Sequence, residues 1–167
     1  AVSFHGLASF NSVLGHENAD YALRHMGADL VEGSLRQAGI VPAADGTKPY
    51  AIAHHGGGNF SVIVQPVITG ADGKQIIVSP EIMKEVERNV AEHVKQFGKT
   101  PVADFLESRG VPVDASMRQD LARKGVTDFD SMPDSKVRTV THNGVEMSGK
   151  LQGVHAVVAA APIVAND

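Results

Sequence analysis

Hydrophobic positions change their period several times along the chain, and each change marks an element. Residues 1–7 alternate as a short strand. From Asn18, a helix-capping residue type, the apolar positions Ala19, Leu23, Met26 and Leu30 fall at helical spacing, which predicts a helix reaching Gln37 and stopped by Gly39. Pro42, Asp45-Gly46 and Pro49 punctuate a loop. Two short apolar runs, 50–53 and 60–64, then flank His54-His55-Gly56-Gly57-Gly58-Asn59 as strand, turn and strand. Asp72-Gly73 predicts a further hairpin between Val67-Ile68 and 76–78. After Ser79-Pro80, the stripe Ile82 or Met83, Val86, Val90, Val94 and Phe97 predicts a long amphipathic helix. Glu81 lies at its positive end, Lys95 near its negative end, and Gly98 just past it.

Two shorter helices follow, 101–108 behind Thr100 and 115–124 behind Asp114, each closed by a glycine. Residues 99–135 thus read as a helical insert resembling a lid. Residues 136–141 and 145–148 flank His142-Asn143-Gly144 as a hairpin, and 154–164 reads as a last strand, with Pro162 placing its far end at an edge. The order of strand, helix, two strands, helix, insert and strand predicts an α+β domain: a mixed β-sheet flanked by helices in a split βαβ arrangement.

Composition sets bounds on this picture. The 167 residues, 43% hydrophobic and 20% charged, fit one globular domain spanning 1–167. A net charge of −4 offers no basic footprint for a run of phosphates, so duplex nucleic acid is not an expected partner. The absence of Cys excludes disulfides and thiolate zinc sites and favours a cytoplasmic setting. Membrane insertion is not expected, because the longest apolar stretch, 154–165, is interrupted by His155 and Pro162 and is shorter than the ~20 residues that span a bilayer. The start at Ala1, without Met or a leader, reads as a piece of a longer protein.

Chemistry-bearing residues are sparse. Eight histidines raise the question of a metal at His54-His55 with His5 or His16. The spacing is poor, however: no H-E-x-x-H is present, and neighbours on a strand point to opposite faces. No G-x-S-x-G elbow, P-loop or dinucleotide fingerprint occurs. Gly56-Gly57-Gly58 is either a hairpin turn that needs glycine or a turn whose bare backbone N–H groups can cradle a phosphate.

Two segments together carry a resemblance. The stretch 7–23, LASFNSVLGHENADYAL, is similar to F-K-x-I-N-D-x-Y-G-H-x-x-G-D-x-x-L, with Asn11, Gly15, His16, Asp20 and Leu23 in register. His55-Gly56-Gly57-Gly58-Asn59-Phe60 lies between two strands, where the same family has its G-G-D/E-E-F turn. Over 1–97 the chain therefore resembles a GGDEF domain, the module of diguanylate cyclases in cyclic di-GMP signalling. The resemblance implies a nucleotide cyclase or palm-like fold, with Asn11 and Asp20 hydrogen-bonding a guanine and Gly56, Gly57, Gly58 and Asn59 completing a nucleotide site. The plainer alternative has Asn11 capping a turn and Asp20 in the first turn of a helix.

The departures from the family pattern are equally specific. Its two metal-binding acids align with Ser3 and Gly58, its further signature acid with Asn59, and another common acid with His5. Thr47-Lys48-Pro49-Tyr50 replaces the R-x-x-D of product inhibition, and the family's closing segment is not visible after Val164. Phosphoryl transfer depends on divalent cations held by hard oxygen anions. The expectation is therefore a degenerate regulatory domain without cyclase activity, catalytic residues, metal or cofactor, whose partners are GTP, GDP or another guanine nucleotide. Alternatives are a scaffold that dimerises or meets partner domains through 99–135, and an enzyme acting on nucleotides through His54, His55 and Asp20.

Overall fold

The computed structural model describes residues 1–5, 9–55, 58–132, 137–142, 145–150 and 155–158. The chain is α+β and divides into two compact units. Unit 1 takes Ala1–Ser3, Arg24–His93 and the last strand from Ala156; unit 2 takes Phe4–Leu23 and Val94–His155.

In unit 1 the strands β1 (Val2–His5), β2 (Tyr50–His54), β3 (Asn59–Val64) and β8 (His155–Val158) form a sheet in the order β2-β3-β1-β8. β3 is antiparallel to both of its neighbours, with Tyr50↔Val64 through His54↔Phe60 on one side and Val2↔Phe60 and Ser3↔Asn59 on the other. β1 and β2 therefore run parallel with β3 between them, the split βαβ arrangement that the element order predicts. The second hairpin, β4 (Val67–Thr69) and β5 (Gln75–Ile77), turns at Asp72-Gly73, where Gly73 has φ 80° and the Asp72 carboxylate accepts from Lys74 N at 3.0 Å. Such a backbone suits glycine.

The first helical stretch differs from the expectation in an informative way. Asn18 is not a cap: α1 (Phe10–Leu14) and α2 (His16–Arg24) meet at Gly15, φ 81°, and Asn18, inside the second helix, donates from Nδ2 back to Leu14 O at the end of the first at 3.1 Å. Helix α2 then passes into a π segment, His25–Leu30, before α3 (Val31–Gln37). A π turn holds one residue more than an α turn. It therefore rotates the buried face, which runs through Met26 and Gly27 to Val31, Ser34 and Leu35, while Leu30, predicted inside, is only partly covered. Ser34 is fully buried: its hydroxyl donates to Leu30 O at 2.7 Å and lies 3.1 Å from His93 Nδ1, and Asn89 Nδ2 donates to its carbonyl at 3.2 Å. These bonds tie α3 to the long helix α4 (Pro80–Gly98), whose Val86 and Val90 are buried at the spacing the sequence predicts.

Unit 2 is built on rings. Four of the six phenylalanines form one cluster, three of them around Phe129: Phe97 stacks on it at 4.5 Å, Phe105 meets it edge-on at 5.2 Å, and Phe10 lies tilted at 5.4 Å. Residues 99–135 fall within this unit. They comprise α5 (Val102–Ser108), α6 (Ala115–Arg123) and a 3₁₀ turn, Phe129–Ser131. Asp114 caps α6 as expected, accepting from Met117 N at 2.8 Å. Thr100 does not cap α5, because Pro101 takes the preceding position and the Thr100 hydroxyl turns back to Gln96 O. The hairpin β6 (Val137–His142) and β7 (Val145–Lys150) also belongs here; its Asn143-Gly144 turn and Pro162 lie outside the described residues. Among the described residues no helix is long and apolar enough to cross a membrane.

Candidate functional site

Strand pairing brings together two of the positions singled out by the resemblance. The antiparallel register sets Ser3 on β1 opposite Asn59 on β3, and Ser3 Oγ donates to Asn59 Oδ1 at 3.0 Å. Two neutral side chains thus satisfy each other where the resemblance implies acids. A hydroxyl and an amide carry no formal charge, so the pair lacks the anionic oxygens that hold Mg²⁺ strongly. Gly58 sits in the β2–β3 turn, which His55 N closes by donating to Asn59 O at 2.9 Å; Gly56 and Gly57 lie outside the described residues. The two adjacent histidines have separate partners. His54 stacks on Phe60 with centroids 4.6 Å apart, whereas His55 Nε2 lies 2.6 Å from Ser61 Oγ. Among the described residues no three His, Cys, Asp or Glu side chains are grouped to hold a metal ion.

Asn11 and Asp20 belong to unit 2 and are both exposed. Neither takes the plainer structural role. Asn11 lies inside α1, behind Ser9 at the cap position, and Asp20 is the fifth residue of α2, past its first turn. Neither side chain makes a hydrogen bond among the described residues, which leaves an amide and a carboxylate available to solvent or ligand.

A concave feature lies wholly in unit 1. A cleft of about 460 Å³ opens between the π segment and β2, lined among others by Arg24, Glu32, Lys48, Tyr50, His54 and Phe60. Local structure accounts for each wall. Gly27 in the π turn has no Cβ, and the Phe60 ring packs against its bare α-carbon, so that any side chain there would collide with the ring. On β2, Tyr50, Ile52 and His54 line the cleft together, as residues two apart on a strand share a face. Glu32 accepts from Arg36 Nη2 at 2.9 Å and from Lys48 Nζ at 3.4 Å. Burial pushes the Glu32 carboxyl up, but the Tyr50 hydroxyl, Lys48 and Arg36 beside it prevail and hold it below the usual carboxylate range. The Tyr50 hydroxyl is itself fully buried and has no hydrogen bond of good geometry among the described residues. Arg24 is exposed and has no ionic partner among them.

Sequence reasoning singled out His54 from this cleft, but as a doubtful metal ligand, and missed Arg24, Glu32 and Tyr50 as a group. Their spacing carries no motif. The nearest signal was the departure of Lys48 and Tyr50 from a family pattern. Compared with family models, curated proteins and solved structures, the chain matches none of them.

Proposed function

We propose that this chain is a regulatory module of palm-like design that binds a guanine nucleotide without turning it over. The observation that carries the reading is the Ser3–Asn59 hydrogen bond across β1 and β3. Ser3, where the resemblance implies one of the two metal-binding acids, is neutral and donates to Asn59, which is neutral where the resemblance implies the further signature acid; losing even one well-placed catalytic charge costs roughly 3–4 kcal/mol of transition-state stabilisation. The sheet order β2-β3-β1-β8 supports the palm-like part of the reading. The exposed Asn11 amide and Asp20 carboxylate support the guanine part. An amide and a carboxylate supply the donor and acceptors a guanine edge needs, and such groups discriminate strongly against a base that cannot match them.

Calorimetric titration with GTP, GDP and ATP tests it. The guanine nucleotides bind, ATP binds more weakly, and Asp20→Ala removes the preference. Incubation with GTP and Mg²⁺ or Mn²⁺ yields no cyclic dinucleotide by chromatography. Equal affinity for ATP and GTP would overturn the base assignment, and turnover would overturn the regulatory one.

A further inference from the structure

We propose that the solvent face of the β2-β3-β1 sheet hydrolyses short-chain acyl esters, with Ser61 as nucleophile, His55 as its base and the Asn59 amide as donor to the developing oxyanion. The site lies wholly in unit 1, and its chemistry is independent of Asn11 and Asp20. Residues two apart on a strand share a face, and so do directly paired ones. Asn59, Ser61 and Ile63 on β3, Ala51 and Ala53 on β2 and Ser3 on β1 therefore stand together, on the face opposite to the one where Phe60 packs against Gly27. Across that face His55 Nε2 lies 2.6 Å from Ser61 Oγ, within the roughly 2.6–3.2 Å over which a base takes the proton of a nucleophile. With the imidazole proton on Nδ1, Nε2 is the acceptor. No G-x-S-x-G surrounds Ser61; the hairpin supplies the pairing instead, since His55 N donates to Asn59 O at 2.9 Å and fixes the base beyond the end of β2.

Asn59 adds an independent element. Ser3 Oγ donates to its Oδ1 at 3.0 Å, which sets the orientation of the amide and leaves Nδ2 without a hydrogen bond among the described residues. Asn59 and Ser61 lie roughly 6.5–7 Å apart along the strand. The Ser61 hydroxyl leans toward His55, which is bonded to Asn59 across the hairpin, so a carbonyl attacked by Ser61 has the amide on that side. A donor held ready for a developing oxyanion is among the larger catalytic contributions. Beyond Ser61 the face turns apolar: Ala51 pairs with Ile63, which is 57% exposed, while the small side chain of Ala53, opposite Ser61, leaves the nucleophile open. An acyl chain of a few carbons covers that isoleucine. In the first step Ser61 Oγ attacks the ester carbonyl as His55 Nε2 takes its proton; the bond to the alcohol oxygen breaks, and His55 passes the proton to the departing alkoxide. Water then attacks the acyl-serine, giving its proton to His55, which returns it to Ser61 Oγ as the carboxylic acid leaves.

Hydrolysis of p-nitrophenyl butyrate and acetate by the intact chain, with mass spectrometry of the acylated protein, is the test. The acyl group is found on Ser61, butyrate reacts faster than acetate, and Ser61→Ala and His55→Ala each lower the rate by roughly a hundredfold or more. Ile63→Ser removes the preference for butyrate. Asn59→Asp keeps an acceptor for Ser3 but loses the amide donor, and lowers kcat by roughly a hundredfold with KM little changed. Ser3 is a positioning residue acting through Asn59: Ser3→Ala lowers kcat alone, and Ser3→Thr restores it. His55 and Asn59 are exposed and Ser61 is half-buried, so circular dichroism of these variants matches the parent. A rate that is unchanged in Ser61→Ala overturns the proposal, as does acylation found only on His55 or on lysines, or acylation of Ser61 that proceeds equally in the urea-unfolded chain. A kcat unchanged in Asn59→Asp overturns the oxyanion assignment.

Discussion

Phe129 and Phe60 are both buried rings packed against helices, yet one closes a core and the other shapes an opening. Around Phe129 in unit 2, Phe10, Phe97 and Phe105 supply stacked and edge contacts, and the ring is 1% exposed. Around Phe60 in unit 1 the neighbours are the bare backbone of Gly27 and the exposed imidazole of His54, with Arg24, Glu32 and Lys48 within the same cleft. In the first case apolar area is matched by apolar area and nothing polar remains to be satisfied. In the second, charge is held beside an aromatic surface, an arrangement that stabilises the fold less and suits recognition more.

Substitutions that separate those two roles test the contrast. The largest effect belongs to the core: Phe129→Ala removes a ring that contacts three others and costs about 3–5 kcal/mol, read as a lowered midpoint in urea unfolding. An effect smaller than 1 kcal/mol would mean that the cluster packs loosely. Next comes Gly27→Ala, which drives a methyl into the Phe60 ring and costs about 1–3 kcal/mol, with displaced His54 ring resonances in NMR spectra as the sign that the stack has moved. Asp114→Ala removes the side-chain acceptor of Met117 N and costs about 1 kcal/mol without touching the cleft.

Arg24→Ala sharpens the comparison from the other side. Stability changes by no more than about 0.5 kcal/mol, because the side chain is exposed and has no ionic partner among the described residues. The smallest effect is a pH dependence. The Glu32 pKa is lowered in the folded chain from an ordinary 4.5, so the unfolded chain binds more protons in that window. Its contribution is complete above the ordinary value and is lost as pH falls through the lower folded one. Glu32→Gln flattens that part of the stability profile below about pH 4.5; an unchanged slope would show that the Arg36 and Lys48 contacts contribute nothing.

Legibility in the sequence followed the range over which each feature is determined. The hairpin at Asp72-Gly73, the stripe of α4 and the Asp114 cap are set by residues within a turn of one another, and each lies where the pattern predicts. Helix 16–37 was legible as helical but not in its facing. The π turn adds one residue and moves the interior from Leu30 to Val31, and no local spacing announces it. Asn18 misled for a related reason, since a capping residue type also fits inside a helix when its amide donates to a free carbonyl nearby, here Leu14 O at the end of the preceding helix. The Ser3–Asn59 pair was reachable only through a resemblance that set strand β1 beside the turn. The cleft was not reachable at all, because Arg24, Glu32 and Lys48 meet Tyr50 and His54 only once β2 has packed on the π segment.

Equilibrium dialysis of labelled GTP with Mn²⁺ against the protein, with chromatography of the nucleotide on the protein side, tests the central claim most directly. The account predicts enrichment of intact GTP on that side, greater than that of ATP, with the difference lost in Asp20→Ala. Equal nucleotide on both sides, or conversion of the bound fraction to a cyclic dinucleotide, would contradict it.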